Sequence, residues 1–158
     1  MKKYRLTEET TKVGNRTLYR IQALRDFGNV KEGDIGGYIE SEKNLSQDGN
    51  AWVSGDARVY GDACVYGNAR VSGDARVYGN ADIKTTGDIC SMSGFGSEYR
   101  TTTAFRTKNG DVHVSCGCFQ GNLEAFCQRV ESTHGNNLYG REYKKMIEML
   151  KIHFEVEP

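Results

Sequence analysis

From Val53 onward an aliphatic residue returns at every sixth position: Val53, Val59, Val65, Val71, Val77, then Ile83 and Ile89. Glycine follows two places later at Gly55, Gly61, Gly67, Gly73 and Gly79. Next comes Asp or Asn, then alanine at Ala57, Ala63, Ala69, Ala75 and Ala81. The pattern predicts a short β-solenoid in which each unit makes one strand and one corner. The branched side chain points into a thin interior. The alanine four residues on shares that side by strand alternation, so it must be small. Glycine with Asp or Asn takes the corner, where unusual backbone angles are needed. Three units of six make a coil of 18 residues, with coils about 4.8 Å apart.

Residues 18 apart then become neighbours. Tyr60 falls beside Tyr78, Arg58 beside Arg76, and Cys64 beside Asp82. Trp52, Arg70 and Asp88 form a column in which Arg70 can stack on Trp52 and pair with Asp88. The outward residues Trp52, Tyr60, Tyr66, Tyr78, Arg58, Arg70 and Arg76 are the candidate binding surface of the repeat. The same residues also suit plain cross-strand packing on an exposed sheet. Two open ends need covering by flanking segments or by other copies. A homo-oligomer, trimer or dimer, packed along the solenoid faces is therefore expected.

The flanks follow other periods. Tyr4–Leu6 and Leu18–Leu24 read as strands, separated by a turn at Gly14-Asn15. Ile39 and Leu45 keep the spacing of six but are out of phase with Val53. An insertion of about two residues near Ser46-Gln47 reconciles them. Residues 1–50 are thus expected to cap the solenoid, which occupies 51–90, with a Ser- and Gly-rich linker over 91–99. Residues 100–158 predict a small α+β (ββαα) domain. Its hairpin runs from Arg100 to Thr107 and from Val112 to Cys118 around Lys108–Asp111. One helix carries Leu123, Phe126 and Val130. After a polar break at Ser132–Asn137, a second carries Tyr143, Met146, Ile147, Leu150 and Phe154. The fold class is mainly β.

Charge removes some functions. The 21 basic and 21 acidic residues are spread evenly: nine and seven in 1–45, four and six in 46–90, eight and eight in 91–158. No segment has the basic excess of a duplex-binding footprint, so generic nucleic-acid binding is not expected. No apolar run is long enough to span a membrane, and the basic start lacks the apolar stretch of a signal peptide. Five cysteines, an odd number, fit a reducing compartment, so a cytoplasmic location is expected.

The C-terminal residues offer the remaining chemistry. Arg100, Arg106, His113 and His134 are the candidate binding residues there. His113, Cys116, Cys118 and His134 can be drawn as a zinc site. The two cysteines are one residue apart, closer than structural zinc prefers. On a strand they fall in line with Val112 and Val114, as small core hydrophobes. No metal, cofactor or catalytic residue is expected.

The Val59…Ala63 and Val65…Ala69 spacing resembles hexapeptide-repeat acyltransferases. That resemblance implies a left-handed β-helix, trimers, acyl-CoA between subunits and a histidine base. No histidine precedes His113, so the base is missing from the repeat. The run from Leu18 to Phe27, the segment Gly33–Glu40 and the VYGNAR repeats also resemble uncharacterised hexapeptide-repeat proteins of bacteria, phages and prophages, labelled transferases or polymer-forming proteins. Thr101–Thr103, Val114–Phe119 and Thr133–Gly135 resemble a module at the end of small phage proteins. These resemblances imply a non-enzymatic, phage- or prophage-encoded oligomeric binding protein in the host cytoplasm. It would inhibit a host defence system by binding a host protein complex or a small nucleotide. The alternatives are an acyltransferase and a structural polymer-forming protein.

Overall fold

A computed structural model of the chain describes residues 1–156. Among the described residues the protein is mainly β with two C-terminal helices, and no sheet closes into a barrel. The chain forms two compact units, Met1–Asp88 and Ile89–Pro158.

The first unit opens with an antiparallel hairpin of β1 (Tyr4–Val13) and β2 (Arg16–Ala23), and β2 pairs antiparallel with β3 (Ile35–Ile39). Six two-residue strands follow: β4 (Trp52–Val53), β5 (Arg58–Val59), β6 (Cys64–Val65), β7 (Arg70–Val71), β8 (Arg76–Val77) and β9 (Asp82–Ile83). They pair in parallel as β4–β7, β5–β8 and β6–β9, each partner 18 residues on. The corner glycines Gly55, Gly61, Gly67, Gly73 and Gly79 all have φ between 62° and 67°. That left-handed region is why the position is glycine in every unit. The aliphatic and alanine positions from Ala51 to Ile83 are almost wholly buried, which matches their inward assignment.

The phase shift before Val53 is visible in the pairing. Ile39 pairs with Val59 and Leu45 with Val65, both 20 residues apart rather than 18. The Ser46 N–H donates to the Val65 carbonyl, whereas Asn50 N–H already donates to Gly67. The extra residues are therefore Gln47 and Asp48. Gln47 uses its position to tie down the hairpin. Its Oε1 accepts from the N–H groups of Lys3 (2.7 Å) and Tyr4 (3.2 Å). Its Nε2 donates to the Tyr4 carbonyl at 3.2 Å. The Tyr4 hydroxyl in turn donates to the Leu45 carbonyl at 2.6 Å.

Lys3 is fully buried in this cap, its Nζ donating to the Ala51 carbonyl at 2.7 Å and lying 5.0 Å from the Phe27 ring. Burial, reinforced by the Arg25 guanidinium, pulls its ammonium from 10.5 down to about 8, against a weaker opposing pull from Asp48. Below about pH 8 both folded and unfolded chains hold the proton, and the fold bears the whole desolvation penalty. Between about 8 and 10.5 only the unfolded chain holds it, so stability rises with pH across that window. The Tyr4 phenol is pushed upward by burial, so its contribution is lost at higher pH, above its ordinary value of 10.0. The stability difference between wild type and Lys3→Met should therefore narrow in wild type's favour by about 2–3 kcal/mol from pH 8 to pH 10. Urea titrations at each pH measure it, and a pH-independent difference would contradict it.

The run of inward aliphatics ends at Ile83. Ile89 begins β10 (Ile89–Phe95) in the second unit and pairs with Phe105. Asp88, expected on a third strand beside Arg70, lies instead in a single 3-10 turn, Thr86–Asp88. Its carboxylate accepts from the N–H groups of Lys84 and Thr85, both at 3.0 Å. The segment Thr85–Asp88 lacks the Gly-Asp-Ala corner, and the carboxylate winds the backbone out of the repeat.

The second unit is a four-stranded antiparallel meander rather than a hairpin. It runs β10, β11 (Arg100–Arg106), β12 (Val112–Cys116) and β13 (Phe119–Asn122) in chain order. The segment expected as a linker is mostly β10 and its turn. Cys90 and Met92 pack on the core while Ser91 and Ser93 face outward, an alternation masked by the Ser-Gly composition. Gly117, at φ 59°, ends β12 two residues earlier than expected. Cys118 is therefore exposed in a turn rather than in line with Val114, while Cys116 packs against the core. Helices α1 (Leu123–His134) and α2 (Leu138–His153) bury Leu123, Phe126, Val130, Tyr143, Met146, Ile147 and Leu150 as expected, while Phe154 follows the last turn of α2 rather than lying within it and is buried there. Asn122 and Asn137 cap them, their side chains accepting from Ala125 and Gly140 N–H.

Candidate functional site

A cleft of about 230 Å³ opens in the second unit. Its walls come from the turn between β10 and β11, the β12–β13 turn, one face of α1 and Tyr143 of α2. Phe126, Arg129, Val130, Thr133 and His134 reach it because residues three and four apart share a helix face. The floor is aromatic. Phe119 and Phe126 lie 5.3 Å apart, Phe126 meets Tyr143 edge-on at 5.7 Å, and His134 stacks on Tyr143 at 5.7 Å.

Two cations border this floor. The Arg129 guanidinium lies 5.4 Å from the Phe119 ring, and Arg100 stands at the start of β11. Neither pairs with a carboxylate among the described residues. Burial pushes the Tyr143 phenol well up. Its contact with Cys116 and the charge of Glu142 push further, against Arg100. At neutral pH Tyr143 is therefore a protonated hydroxyl, 3.6 Å from Cys116 Sγ. Thr102 Oγ1 donates to the same sulfur at 3.2 Å. In the β10–β11 turn, Tyr99 is exposed at φ 53°, a left-handed backbone unusual for a tyrosine, though it does not line the cleft.

The four C-terminal candidates do not assemble into one site. Arg100 and His134 line the cleft; Arg106 and His113 do not. Arg106 donates to the Phe154 carbonyl at 3.1 Å and lies 5.2 Å from its ring, holding the end of α2. His113 stacks on Phe105 at 5.2 Å, and burial pulls its imidazole down. It alternates with Val112 and Val114, so it takes the other face of the sheet. Among the described residues no three His, Cys, Asp or Glu side chains converge as a metal would need. Sequence reasoning missed Arg129, Tyr143 and Phe119. Arg129 follows the apolar position 126 at helical spacing, the one signal that placed it here.

On the first unit the candidate surface is largely covered. Trp52 is buried, with Tyr4 at 6.5 Å and Phe27 at 5.3 Å, both edge-on. Tyr60 and Tyr78 stack at 5.3 Å and 14°, and both are buried. Tyr4 and Phe27 of the N-terminal segment thus enclose Trp52, and the Arg16 guanidinium lies 5.8 Å from the Tyr60 ring. Tyr66, Arg58 and Arg70 are half-buried, and Arg76 is exposed. Among the described residues no helix is long and apolar enough to cross a membrane.

No protein-family model matches the chain. Over 61 residues the chain is 39% identical to the uncharacterized acetyltransferase YdcK of Escherichia coli strain K12. The match covers 34% of this chain and 19% of that protein, so the chain spans about a fifth of the relative's length. It is a partial likeness consistent with a hexapeptide-repeat transferase.

Proposed function

We propose that the chain is a non-enzymatic binding protein whose C-terminal cleft takes a small anion bearing a ring, of the nucleotide class. One observation carries this reading: Arg100 and Arg129, neither with a carboxylate partner among the described residues, border a floor of packed aromatic rings. Guanidiniums bind phosphate through paired hydrogen bonds, and rings stack on bases. The cleft's other groups favour holding over turnover. His134 lies against Tyr143, and the Cys116 sulfur is already engaged by Thr102 and Tyr143. In the same reading the first unit is a left-handed β-helix solenoid whose faces join two or three copies. The setting is a phage or prophage protein that withholds a nucleotide signal, or blocks a protein complex, of a host defence system.

Calorimetric titration of the full chain with AMP, ADP and cyclic nucleotides tests this. One ligand is expected per chain, recovered unaltered, with Arg129→Gln weakening it about tenfold or more. Failure of every nucleotide to bind, or its chemical conversion, would overturn the reading.

The likeness to YdcK favours a second reading, acetyl transfer. It predicts consumption of acetyl-CoA with release of free thiol when the protein is given amine or hydroxyl acceptors.

A further inference from the structure

The β12–β13 turn brings two thiols together. Cys116 ends β12 and pairs with Phe119 of β13, so Gly117 and Cys118 are the two central residues of a tight hairpin. Gly117 has φ 59°, while Cys118 does not take a positive φ. Positive φ at the first central residue alone is the pattern of a type II′ turn. In so sharp a reversal, α-carbons two residues apart stand about 5–6 Å from each other. A disulfide spans about 4.4–6.8 Å between α-carbons, so the turn suits one. Cys116 and Cys118 also line the same cleft, which places them on one side of the turn.

The two sulfurs differ in their surroundings. Cys118 is exposed, within reach of a dissolved reagent. Cys116 is half-buried, its Sγ accepting from the Thr102 hydroxyl at 3.2 Å and lying 3.6 Å from the Tyr143 hydroxyl. Those hydroxyls can donate to the sulfur whenever it carries negative charge, as it does on attacking or leaving a disulfide. The Arg100 guanidinium lies against the turn: a Cβ on Gly117 would stand 2.5 Å from its Nη1. Arg129 lines the same cleft. A reagent bearing carboxylates is drawn to such a rim. The other thiols are set apart. Cys64 belongs to the first unit, burial pushes the Cys90 thiol up, and Cys127 of α1 is not among the residues lining the cleft.

We propose that Cys116 and Cys118 are a reversible redox pair, closed by a small anionic disulfide of the glutathione class. Cys118 loses its proton to solvent, and its thiolate attacks one sulfur of that reagent. A mixed disulfide forms, the reagent's own S–S bond breaks and one small thiolate leaves. Cys116 then gives its proton to solvent and attacks the Cys118 sulfur. The Cys116–Cys118 bond forms as the second small thiolate leaves. Two electrons pass from the protein to the reagent, which takes up the two protons and ends as two thiols. A disulfide across so short a loop, open to solvent, is a labile one, so an excess of small thiol reverses it. Closing the pair draws the Cys116 sulfur off Thr102 and Tyr143 and remodels that wall of the cleft. The inference does not depend on what the cleft binds.

The test equilibrates the full chain in buffers of rising oxidised-to-reduced glutathione ratio, then quenches with acid and alkylates the remaining thiols. Cleavage after Glu124 separates the pair from Cys127, and mass spectrometry reads each peptide. As the ratio rises, the peptide carrying Cys116 and Cys118 should lose both alkyl groups and two hydrogens in one step. Cys64, Cys90 and Cys127 should stay alkylated, and dithiothreitol should restore the pair. Cys116→Ser should stop at a mixed disulfide between Cys118 and glutathione. Cys118→Ser should leave Cys116 alkylated at ratios that close the pair in wild type. Three wild-type results overturn the proposal: a glutathione adduct that persists on Cys118, a bridge from either residue to another cysteine or a second chain, or both thiols still alkylated at the most oxidising ratio. The wild-type pattern decides even where a variant fails to fold. None of these readouts uses a nucleotide, so the redox pair stands or falls apart from the reading of the cleft.

Discussion

Val65→Asp is expected to abolish the folded repeat. Val65 is 1% exposed and lies between Leu45 on one side and Ile83 on the other. Its pairing partners Leu45 and Ile83 are both aliphatic, so neither can donate to a carboxylate. The nearby backbone donors are taken: Cys64 N–H by Ala81, Tyr66 N–H by Ile83, and Ser46 N–H by the carbonyl of Val65 itself. An unpaired charge in that position costs about 5 kcal/mol or more. That rivals the whole stability of a small domain. Val65→Thr keeps the shape and adds one hydroxyl, and should cost about 2 kcal/mol. Asn68→Asp, at an exposed corner where the repeat itself uses both residues, should stay within about 0.5 kcal/mol. Hydrogen exchange over residues 51–83 reads all three variants. Native-like protection in Val65→Asp would mean that the side chain does not face a closed interior.

The contrast between these positions was legible in the sequence because a period of six leaves each residue one role. Inward positions, corner glycines and neighbours 18 apart all follow from it, as does an insertion of about two residues near Ser46-Gln47, which the pairing places at Gln47 and Asp48. What covers an outward residue does not follow. Trp52 faces away from the interior as expected, yet Tyr4 and Phe27 enclose it, and both come from segments far away in sequence. The same limit explains the second unit. Helical spacing marked Phe126 and Tyr143 as core, while the cleft exists only because two turns bring Arg100 and Gly117 beside α1. β10 was hidden because serine and glycine read as loop. Its strand character comes from pairing with β11, a tertiary effect that overrides propensity.

That dependence on a turn makes Gly96 the second sensitive position. Gly96→Val should cost about 4 kcal/mol and close the cleft to ligand. Two penalties add. Gly96 sits at φ 81°, where a β-branched residue is strained by about 1–2 kcal/mol. A Cβ there would also overlap the Tyr143 hydroxyl and stand 2.6 Å from Cζ. Tyr143 has little room to yield, since Phe126 meets its ring edge-on, His134 stacks on it and Cys116 holds its hydroxyl. Overpacking of this kind typically costs about 1–3 kcal/mol. Gly94 separates the two penalties. Its φ is 94°, but a Cβ there meets nothing within 4 Å, so Gly94→Val should carry the strain alone. In a Tyr143→Phe background the overlapping oxygen is gone and the nearest ring atom is at 2.6 Å, so the Gly96→Val penalty should shrink without vanishing. Denaturant titrations of the four variants measure these differences. Equal costs at positions 94 and 96 would mean that Tyr143 does not pack under the turn, and the cleft would lose the contact that shapes it.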